Sequence, residues 1–334
     1  MASGGRIPHC VVCDTRMVKN GKTRAGTTRW RCANCGASRV QHRDEMKKSQ
    51  DAELFVSWLF HNVPARSLPI ARATLTRHIA WCWNVPVPRP PVTGVVESQI
   101  LMDGIYLPYG WCLLIAMNTK HVLAWQWCTR ESTASYTVLL HQLVKPDCVC
   151  LDGGIGAHTT TLKNVWPEVK VQRCLVHVAR NVRTYLTSHP HSDAGRSLLG
   201  LSKKLLKVET INQAIQWEEL LNQWYQTYGH LIHERTRNPC YPYESPAWWY
   251  THNRLRKAYR LLERLTKKQN LFTYLDPDLR EHGVLLRSTN RLEGGPNKTI
   301  RRLLLVHTGL SEPHMRCAVE WILQSMSEKT YYYH

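Results

Sequence analysis

Four cysteines near the amino terminus have the spacing of a metal site. Cys10 and Cys13 are separated by two residues, as are Cys32 and Cys35, and 18 residues lie between the two pairs. A two-residue spacing places both sulfurs on one side of a tight turn, and four thiolates complete a tetrahedral Zn²⁺ shell. Two disulfides are the alternative interpretation, and the absence of a secretory leader argues against them.

The segment around these cysteines is too short to fold on a hydrophobic core of its own. A bound metal would supply the folding free energy that about 40 residues cannot obtain by burying apolar surface. The residues between the two pairs are rich in Lys, Arg, Thr and Gly and predict a hairpin that returns the second pair to the first. We therefore predict a zinc ribbon over residues 1–48.

Two aspartates lie where the chain is otherwise apolar. Asp103 interrupts the run Ile100–Tyr106, and Asp152 follows the run 147–151. A carboxylate in such a place is costly unless it is paired or binds a metal. Capping a turn or pairing with an arginine is the structural alternative for either residue. Gly104 beside the first acid, and Gly153 and Gly154 beside the second, leave room for a group close to the backbone.

The elements that must position these acids follow from hydrophobic periodicity. Three β-rich runs, 95–106, 110–117 and 121–128, are separated by turn signals. A helix over 132–143, a strand over 147–151, a helix near 158–166 and a strand over 169–174 come next. The order predicts an α/β sheet. About a hundred residues of almost wholly helical pattern follow it.

A second small unit is predicted between the ribbon and the sheet. Residues 51–61 form an amphipathic helix with Asp51 in its first turn, and a second apolar stripe runs from Ala71 to Cys82 with Arg72 and Arg77 on its polar face. The pair predicts a helix-turn-helix over 49–84, and an ordinary helical hairpin is the alternative. Four prolines in the segment 85–92 favour extended structure, so residues 85–94 are predicted to be a linker.

The charge of the chain points to a polyanionic partner. Its 44 Lys and Arg against 25 Asp and Glu give a formal net charge of +19. The first 50 residues hold 11 basic and 3 acidic side chains, and the last 84 hold 15 and 8. Such an excess suits nucleic acid, because neutralised phosphates release condensed counterions. Solubility alone is the other explanation. We see no membrane span or leader and expect a cytoplasmic protein.

Three ordered motifs resemble the Mutator superfamily of transposases, which includes many bacterial insertion sequences. The first contains Asp103 in Leu-Met-Asp-Gly, and the second contains Asp152 in Leu-Asp-Gly, followed by Trp-Pro and the run 172–181. The third is the run 288–297, which contains Glu293 and precedes Arg301 and Arg302. The resemblance covers about residues 95–325. Each motif is weak alone, and their ordered combination is specific.

The resemblance implies an RNase H-like mixed sheet with an all-helical insertion. The catalytic core would occupy 95–174 and 282–334, the latter with the C-terminal helices that carry the third acid, and the insertion 175–281. Asp103, Asp152 and Glu293 would bind two Mg²⁺ or Mn²⁺ ions, with Asp103 bridging both. The activity implied is DNA strand cleavage by hydrolysis followed by strand transfer by transesterification. A homodimer or larger assembly acting on double-stranded DNA, both transposon ends and target, in the bacterial nucleoid is expected by the same analogy.

Other side chains near these motifs are candidates for supporting roles. Cys174 and His177 are three residues apart and share a helix face, which suits packing or orientation near the acids better than a two-ligand metal site. Asn290 is a candidate to position Glu293 or to contact DNA. The expected DNA contacts come from two basic residues in each of three segments, with a solvated basic face as the alternative for the last pair: Arg29 and Arg31, Arg72 and Arg77, Arg301 and Arg302.

Two other functions fit the same residues. A non-catalytic DNA-binding protein derived from a transposase would be indicated by a lost acid, and all three positions are filled. A metal-dependent nuclease or junction resolvase on the same fold would use the same carboxylates. The ribbon and the helical insertion favour the transposase.

Overall fold

A computed structural model describes residues 7–10, 12–40, 43–60, 64, 67–68, 70–153 and 159–328. The chain divides into two compact units. The first comprises residues up to Pro86 together with Val306–Thr308, and the second comprises Val87–Leu305 and the residues from Gly309 onward. Gly154 and the end of the chain lie outside the described residues. Within the described part, no helix is both long enough and apolar enough to cross a membrane.

The first unit begins with a small antiparallel sheet. Strands β1 (Val18–Lys22), β2 (Thr28–Arg31) and β3 (Ser38–Val40) lie in that order. Its core contains Cys10, Met17, Trp30 and Cys32. One tryptophan and one methionine bury too little apolar surface to stabilise such a sheet alone, so the cysteine cluster must contribute.

Two helices complete the first unit. Helix α1 is Arg43–Phe60 and helix α2 is Arg72–Ile79. Because α1 starts eight residues earlier than the periodicity predicts, and crosses the predicted boundary at 48, Asp51 is not in its first turn. Asp51 is buried, and its Oδ1 lies 2.6 Å from Nδ1 of His78 on α2. The chain between the helices is described only in part, so the helix-turn-helix remains a prediction.

A five-stranded mixed sheet forms the centre of the second unit. It consists of β4 (Gln99–Tyr106), β5 (Cys112–Met117), β6 (Val122–Cys128), β7 (Cys148–Leu151) and β8 (Lys170–Arg173). The spatial order is β6-β5-β4-β7-β8. β5 is antiparallel to β4 and β6, whereas β7 and β8 run parallel to β4. The predicted α/β sheet with three consecutive strands, a helix and a further strand is therefore confirmed.

Helices cover the faces of the sheet, toward which alternate side chains of its strands point. Helices α3 (Thr133–Leu140) and α4 (Thr159–Val165) lie between strands in the chain, and α3 contributes Tyr136 and Leu139 to the core of one face. Helix α12 (Glu312–Ser325) contacts the sheet through side chains at and next to β5 and β6. Its Glu312 and Glu320 accept hydrogen bonds from the indole N–H groups of Trp111 and Trp127. Covered faces explain why β5 is buried at every position.

The segment after β8 is mainly a helix bundle. Its helices are α5 (Leu175–Leu186), α6 (Asp193–Leu205), α7 (Ile211–His233), α8 (Asn253–Lys267) and α9 (Pro277–Glu281). The expectation of an all-helical insertion is wrong in one place. Strands β9 (Arg235–Arg237) and β10 (Trp248–Tyr250) form an antiparallel hairpin between α7 and α8. Three-residue strands are too short to give an alternating pattern, which is why periodicity missed them.

The last part of the unit carries the third predicted acid on an irregular helix. Helix α10 (Asn290–Leu292) continues through a π-helical turn, Glu293–Asn297, into α11 (Lys298–Val306). Pro296 lies inside this turn and cannot donate a backbone hydrogen bond. A π-helical turn accommodates the missing donor without ending the helix.

Candidate active site and metal centre

Asp103 and Asp152 lie level with each other on neighbouring parallel strands. Met102 of β4 pairs with Leu151 of β7, so the next residue on each strand is one of the two acids. β6 runs in the same direction as β4, since both are antiparallel to β5. The carboxyl ends of β4, β6 and β7 therefore meet at one edge of the sheet. Asp152 directly follows the end of β7, and Asp103 lies beside it in the second half of β4, three residues before that strand ends.

Burial and neighbouring carboxylates both act on the pKa of Asp103. Burial raises its pKa to about 7, and the negative charges of Asp152 and Glu293 contribute to the increase. The backbone N–H of Gly104 and the imidazole of His177 act in the opposite direction. The three predicted acids are thus close enough to interact electrostatically, although Glu293 is 141 residues from Asp152 in the chain.

Glu293 is held by side chains from the start of α5. Its Oε1 lies 3.7 Å from Nε2 of His177, and its Oε2 lies 3.9 Å from a guanidinium nitrogen of Arg180. The Thr289 hydroxyl donates to Glu293 Oε1 at 3.4 Å. His177 therefore lies beside the third predicted acid, and its orienting role stays a prediction.

Asn297 contacts Asp103, and it was not among the predicted residues. Its Nδ2 donates to Asp103 Oδ2 at 3.0 Å. Its Oδ1 is buried, and no described residue donates a hydrogen bond to it. Asn297 follows Glu293 by four residues, so a shared helix face was a signal available in the sequence. Asn290, the asparagine we predicted instead, is exposed at the start of α10.

Glu131 is a further carboxylate at the same edge that sequence analysis did not select. It follows β6 and accepts a hydrogen bond from the hydroxyl of Tyr136 at 3.0 Å. Burial raises its pKa, the Tyr136 hydrogen bond opposes that increase, and the charge of Asp152 adds to it. Its carboxyl group lies against Gly104, where a Cβ would approach the carboxyl carbon to 2.7 Å.

Side chains of the protein itself occupy the space beside Gly104 and Gly153. The carboxyl group of Glu131 lies beside Gly104. Gly153 has a φ of +85°, and the guanidinium of Arg173 fills the space where its Cβ would stand. Arg173 also donates a hydrogen bond to the backbone carbonyl of Asp152. The tight packing fixes the strand end from which the Asp152 side chain projects.

Cys174 and His177 form an interacting pair behind Glu293. Cys174 is the N-cap residue of α5 and is fully buried. Burial raises the pKa of its thiol, but hydrogen bonds involving His177 and Thr289 outweigh this effect and the net pKa is lowered. Cys174 in turn raises the pKa of His177, an effect that burial opposes and that the charges of Glu293 and Asp152 reinforce. The pair therefore favours a positively charged imidazole next to Glu293.

Ligand-atom distances limit how the carboxylates could hold a metal. Among the described residues, only the four predicted cysteines bring three or more His, Cys, Asp or Glu ligand atoms within 4.8 Å of one another. Two oxygens bound to one Mg²⁺ are at most about 4.2 Å apart. A single ion therefore cannot take ligands from Asp103, Asp152 and Glu293 together in this arrangement.

The cysteine cluster has the arrangement of a tetrahedral thiolate site. Cys10 Sγ lies 3.4 Å from Cys35 Sγ, and Cys13 Sγ lies 3.4 Å from Cys32 Sγ, so each pair contacts the other. All four cysteines are free, and these distances exceed the length of a disulfide bond, about 2.05 Å. Zn²⁺ with four Zn–S bonds of about 2.3 Å requires similar sulfur separations. The cluster is compatible with structural zinc.

The predicted DNA contacts are all on the surface. Arg29 and Arg31 are exposed on β2, on either side of the buried Trp30. The exposed basic residues on helices are Arg72 and Arg77 of α2 and Arg301 and Arg302 of α11. Their positions leave them available to phosphates. Contact with DNA remains a prediction.

Comparison with known proteins agrees with the motif resemblance. Residues 115–268 match the model of a family described as "Transposase, Mutator family". This range includes Asp152, Cys174 and His177, whereas Asp103 and Glu293 lie outside it. Over 198 residues the chain is 26% identical to the transposase for insertion sequence element IS905 of Lactococcus lactis subsp. lactis (strain IL1403). The alignment covers 52% of this chain and 49% of that protein, so the chain spans about half the length of this curated relative.

A solved structure matches the chain at a much lower level. It is a chain of the cryo-EM structure of the simian T-cell lymphotropic virus intasome in complex with PP2A regulatory subunit B56 gamma. Sequence identity is 12%, coverage is 64% of this chain and 68% of that chain, and the TM-score is 0.20, which supports no inference. The family match and the curated relative agree with the ordered motifs: the chain is similar to transposases of the Mutator family.

Proposed function

We propose that this chain is a DDE transposase of an insertion sequence, which cuts DNA at the element's ends and joins them to a target. The observation that carries the proposal is the common edge of the sheet. Asp103 and Asp152 lie level there on parallel strands, and Glu293 adds to the negative potential that raises the pKa of Asp103 to about 7. Buried carboxylates that repel one another are a mark of functional sites.

The donor set fits divalent cations. Carboxylate oxygens suit Mg²⁺ or Mn²⁺, and the buried Oδ1 of Asn297 is an amide oxygen without a donor among the described residues, adjacent to Asp103. When bound, such ions would stabilise charge on the attacking and leaving oxygens of a phosphodiester. The distance limit described above excludes one ion shared by all three acids in this arrangement, and we propose two ions. Asp103 and Asp152 would hold one ion, and Asp103 and Glu293 would hold the other.

The remaining residues of the site keep these ligands in place. His177 and Arg180 hold the Glu293 carboxylate from two sides, and Asn297 holds Asp103. Glu131 adds a further negative charge beside Gly104 and is itself anchored by Tyr136. We propose that these four are positioning residues whose loss weakens the site without removing its primary ligands.

The reaction is phosphoryl transfer in two steps. Water first attacks the phosphorus at the element's end, and the bond to the 3′ oxygen breaks to leave a 3′-hydroxyl. That hydroxyl then attacks a target phosphodiester, forms the joining bond and releases a new 3′-hydroxyl on the target. The strand order of the sheet supports an RNase H-like fold for this chemistry.

We propose that the zinc ribbon and the following helices bind the terminal inverted repeats. Exposed arginines on β2 and α2 support this assignment, with the ribbon contacting phosphates and α2 reading bases as the later helix of a helix-turn-helix. Double-stranded DNA, at both the ends and the target, is the proposed substrate. Because two ends must be held together, a homodimer or larger assembly is the proposed active form.

Cleavage and binding by one variant test this function. The purified full chain is incubated with Mg²⁺ and labelled duplexes that tile the DNA on both sides of its gene. Asp152→Asn should reduce strand cleavage at least about 100-fold and leave the dissociation constant within about threefold. Asp147→Asn, at the other end of β7 where the acid contacts His282, is the matched control and should retain cleavage.

Three other outcomes would support a different function or contradict the assignment of Asp152. Sequence-specific binding without cleavage by the unmodified chain would indicate a DNA-binding protein that has lost catalysis. Cleavage without joining to a target would indicate a nuclease or resolvase. Equal loss of binding and cleavage in Asp152→Asn would contradict the assignment of this acid to catalysis.

A further inference from the structure

The hairpin between α7 and α8 presents aromatic rings to solvent. We define the aromatic hairpin as residues 235–250, which comprise β9, β10 and the loop between them. Trp248 is 39% exposed and Trp249 is 43% exposed, while Tyr241 is 52% and Tyr243 is 95% exposed. Large rings normally contribute to a core or an interface. Four exposed rings within nine residues are therefore an unusual concentration of apolar surface, which marks a contact site for a partner.

Arginines accompany the rings on one face of the hairpin. Trp248 pairs with Arg237 and Tyr250 pairs with Arg235 across the two strands, so these four side chains share a face. The guanidinium of Arg235 lies 3.9 Å from the centre of the Trp248 ring, and that of Arg256 lies 3.8 Å from the centre of the Tyr250 ring. These cation–π contacts orient the rings and keep positive charge beside them.

The surrounding charge favours a negatively charged partner. Residues 234–257 contain five Arg and Lys side chains and two Glu side chains. Four of the five basic residues are exposed: Arg235, Arg237, Arg254 and Lys257. An apolar protein surface would not complement this excess, whereas a phosphodiester backbone would.

The loop that carries two of the rings is internally fixed. Asn238 is buried, and its Nδ2 donates to the carbonyls of Glu244 and Pro246 at 3.1 and 2.9 Å. Its Oδ1 accepts from the backbone N–H of Cys240 at 3.0 Å. A single asparagine thus ties both ends of the loop together. Tyr241 and Tyr243 are presented on a preformed support, which lowers the entropy lost on binding.

We propose that the aromatic hairpin binds unpaired nucleotides of a DNA strand, with its rings stacked on bases and its arginines on phosphates. The proposal rests on the proposed function and adds a substrate feature to it. Rings can stack only on base faces that are not covered by a neighbouring pair, so the surface selects unpaired over paired DNA. Stacking on aromatic side chains contributes about 1–3 kcal/mol per base and tolerates any sequence.

The test compares three DNA probes of equal duplex length with the full chain: a blunt duplex, a duplex with a four-nucleotide 3′ overhang, and the same overhang containing 2-aminopurine. The unmodified protein should bind the overhang at least about tenfold more tightly than the blunt duplex, which corresponds to about 1.4 kcal/mol. 2-Aminopurine fluorescence should fall on binding, since stacking quenches it.

Two substitutions isolate the hairpin. Trp249 lies on the face opposite the arginine contacts, and Tyr243 is in the loop, so neither Trp249→Ala nor Tyr243→Ala disturbs the cation–π pairs. The double variant should lose the overhang preference and the quenching, and should bind blunt duplex as before. Trp249→Phe retains a ring and should keep most of the preference in a background with Tyr243 intact.

The different probes also allow this proposal and the proposed function to be tested separately. Blunt-duplex binding and cleavage report on the transposase assignment, and the overhang preference reports on the hairpin alone. The same overhang preference in the unmodified protein and the double variant would overturn the proposal, as would no preference in either. A change of oligomeric state in the double variant, with DNA binding unaltered, would instead identify the hairpin as a contact between copies of the chain.

Discussion

Asp103 bears the electrostatic cost of gathering carboxylates at one edge of a sheet. Its pKa is about 7 in the folded chain, against 3.8 for the free side chain. A raised pKa means that the folded state holds this proton more tightly than the unfolded state. The contribution of Asp103 to stability is therefore greatest below about pH 4 and declines as the pH rises through 7.

Asp103→Asn should consequently stabilise the protein at high pH in the absence of Mg²⁺. We expect the variant to exceed the unmodified chain by about 2–4 kcal/mol in free energy of unfolding at pH 8, and by much less at pH 5. Urea unfolding at the two pH values measures the difference. Asp147→Asn serves as the control, and a difference for Asp103→Asn that does not depend on pH would contradict the assigned pKa.

Glu131 should support activity indirectly, because it lies beside Gly104 and is not one of the three proposed metal ligands. Glu131→Gln keeps an oxygen that accepts from Tyr136 and removes the charge beside Gly104. We expect a decrease in cleavage rate of about 10- to 100-fold and a higher Mg²⁺ concentration at half-maximal rate, as for other groups that support metal ligands. Tyr136→Phe, which removes only the hydrogen bond, should have a smaller effect. An unchanged Mg²⁺ dependence in Glu131→Gln would exclude this role.

Among the elements, the small N-terminal sheet depends most on the cysteine cluster for its stability. The core of that sheet is two cysteines, Met17 and Trp30. Metal binding and folding are therefore expected to be one event.

Loss of a single cysteine should unfold the sheet. Cys32→Ser should lower the zinc content from one ion per chain to a small fraction of that, and should expose residues 7–40 to proteases. Metal analysis and limited proteolysis measure both effects. Cys240→Ser, at an exposed cysteine outside the cluster, is the matched control. Full zinc content in Cys32→Ser would show that the cluster is not the binding site.

Local patterns predicted the elements of the sheet, and they failed where position depends on distant parts of the chain. The strand containing Asp103 and the one ending at Asp152 were evident from apolar runs of strand length. Glu131 was not, because its place beside Gly104 depends on how β6 and β4 meet across β5. The strands β9 and β10 have three residues each, which is too short for an alternating pattern to be recognised between two helical segments.

The C-terminal helix illustrates the same limit. Family resemblance, rather than periodicity, identified Glu293, and the predicted partner was Asn290. In the structure the π-helical turn at Pro296 places Asn297 against Asp103 instead. In a regular helix, residues three and four positions from Glu293 share its face, so Asn290 and Asn297 were equally plausible partners. Only the tertiary contact decides between them.

For the molecule as a whole, the net charge of +19 is the basis of the proposed binding to DNA. Phosphate contacts contribute sequence-independent affinity, and each contact adds about 0.9 to the slope of log affinity against log salt concentration. Basic residues on β2, α2 and α11 are the proposed contributors.

Binding to a duplex of unrelated sequence should therefore weaken steeply with salt. We expect at least a tenfold loss of affinity between about 50 and 200 mM NaCl, measured by fluorescence anisotropy. Arg301→Gln with Arg302→Gln should reduce the slope by about two if both residues contact phosphates. A slope unchanged by this double substitution would place them on a solvated face of α11.

We propose that Asp103, Asp152 and Glu293 together would hold two divalent ions that serve DNA cleavage. Anomalous diffraction from crystals of the full chain with Mn²⁺ and a DNA end tests it most directly. We expect two manganese peaks about 4 Å apart, one contacted by Asp103 and Asp152 and the other by Asp103 and Glu293. Cleaved DNA in the crystal with no manganese at these carboxylates would contradict it.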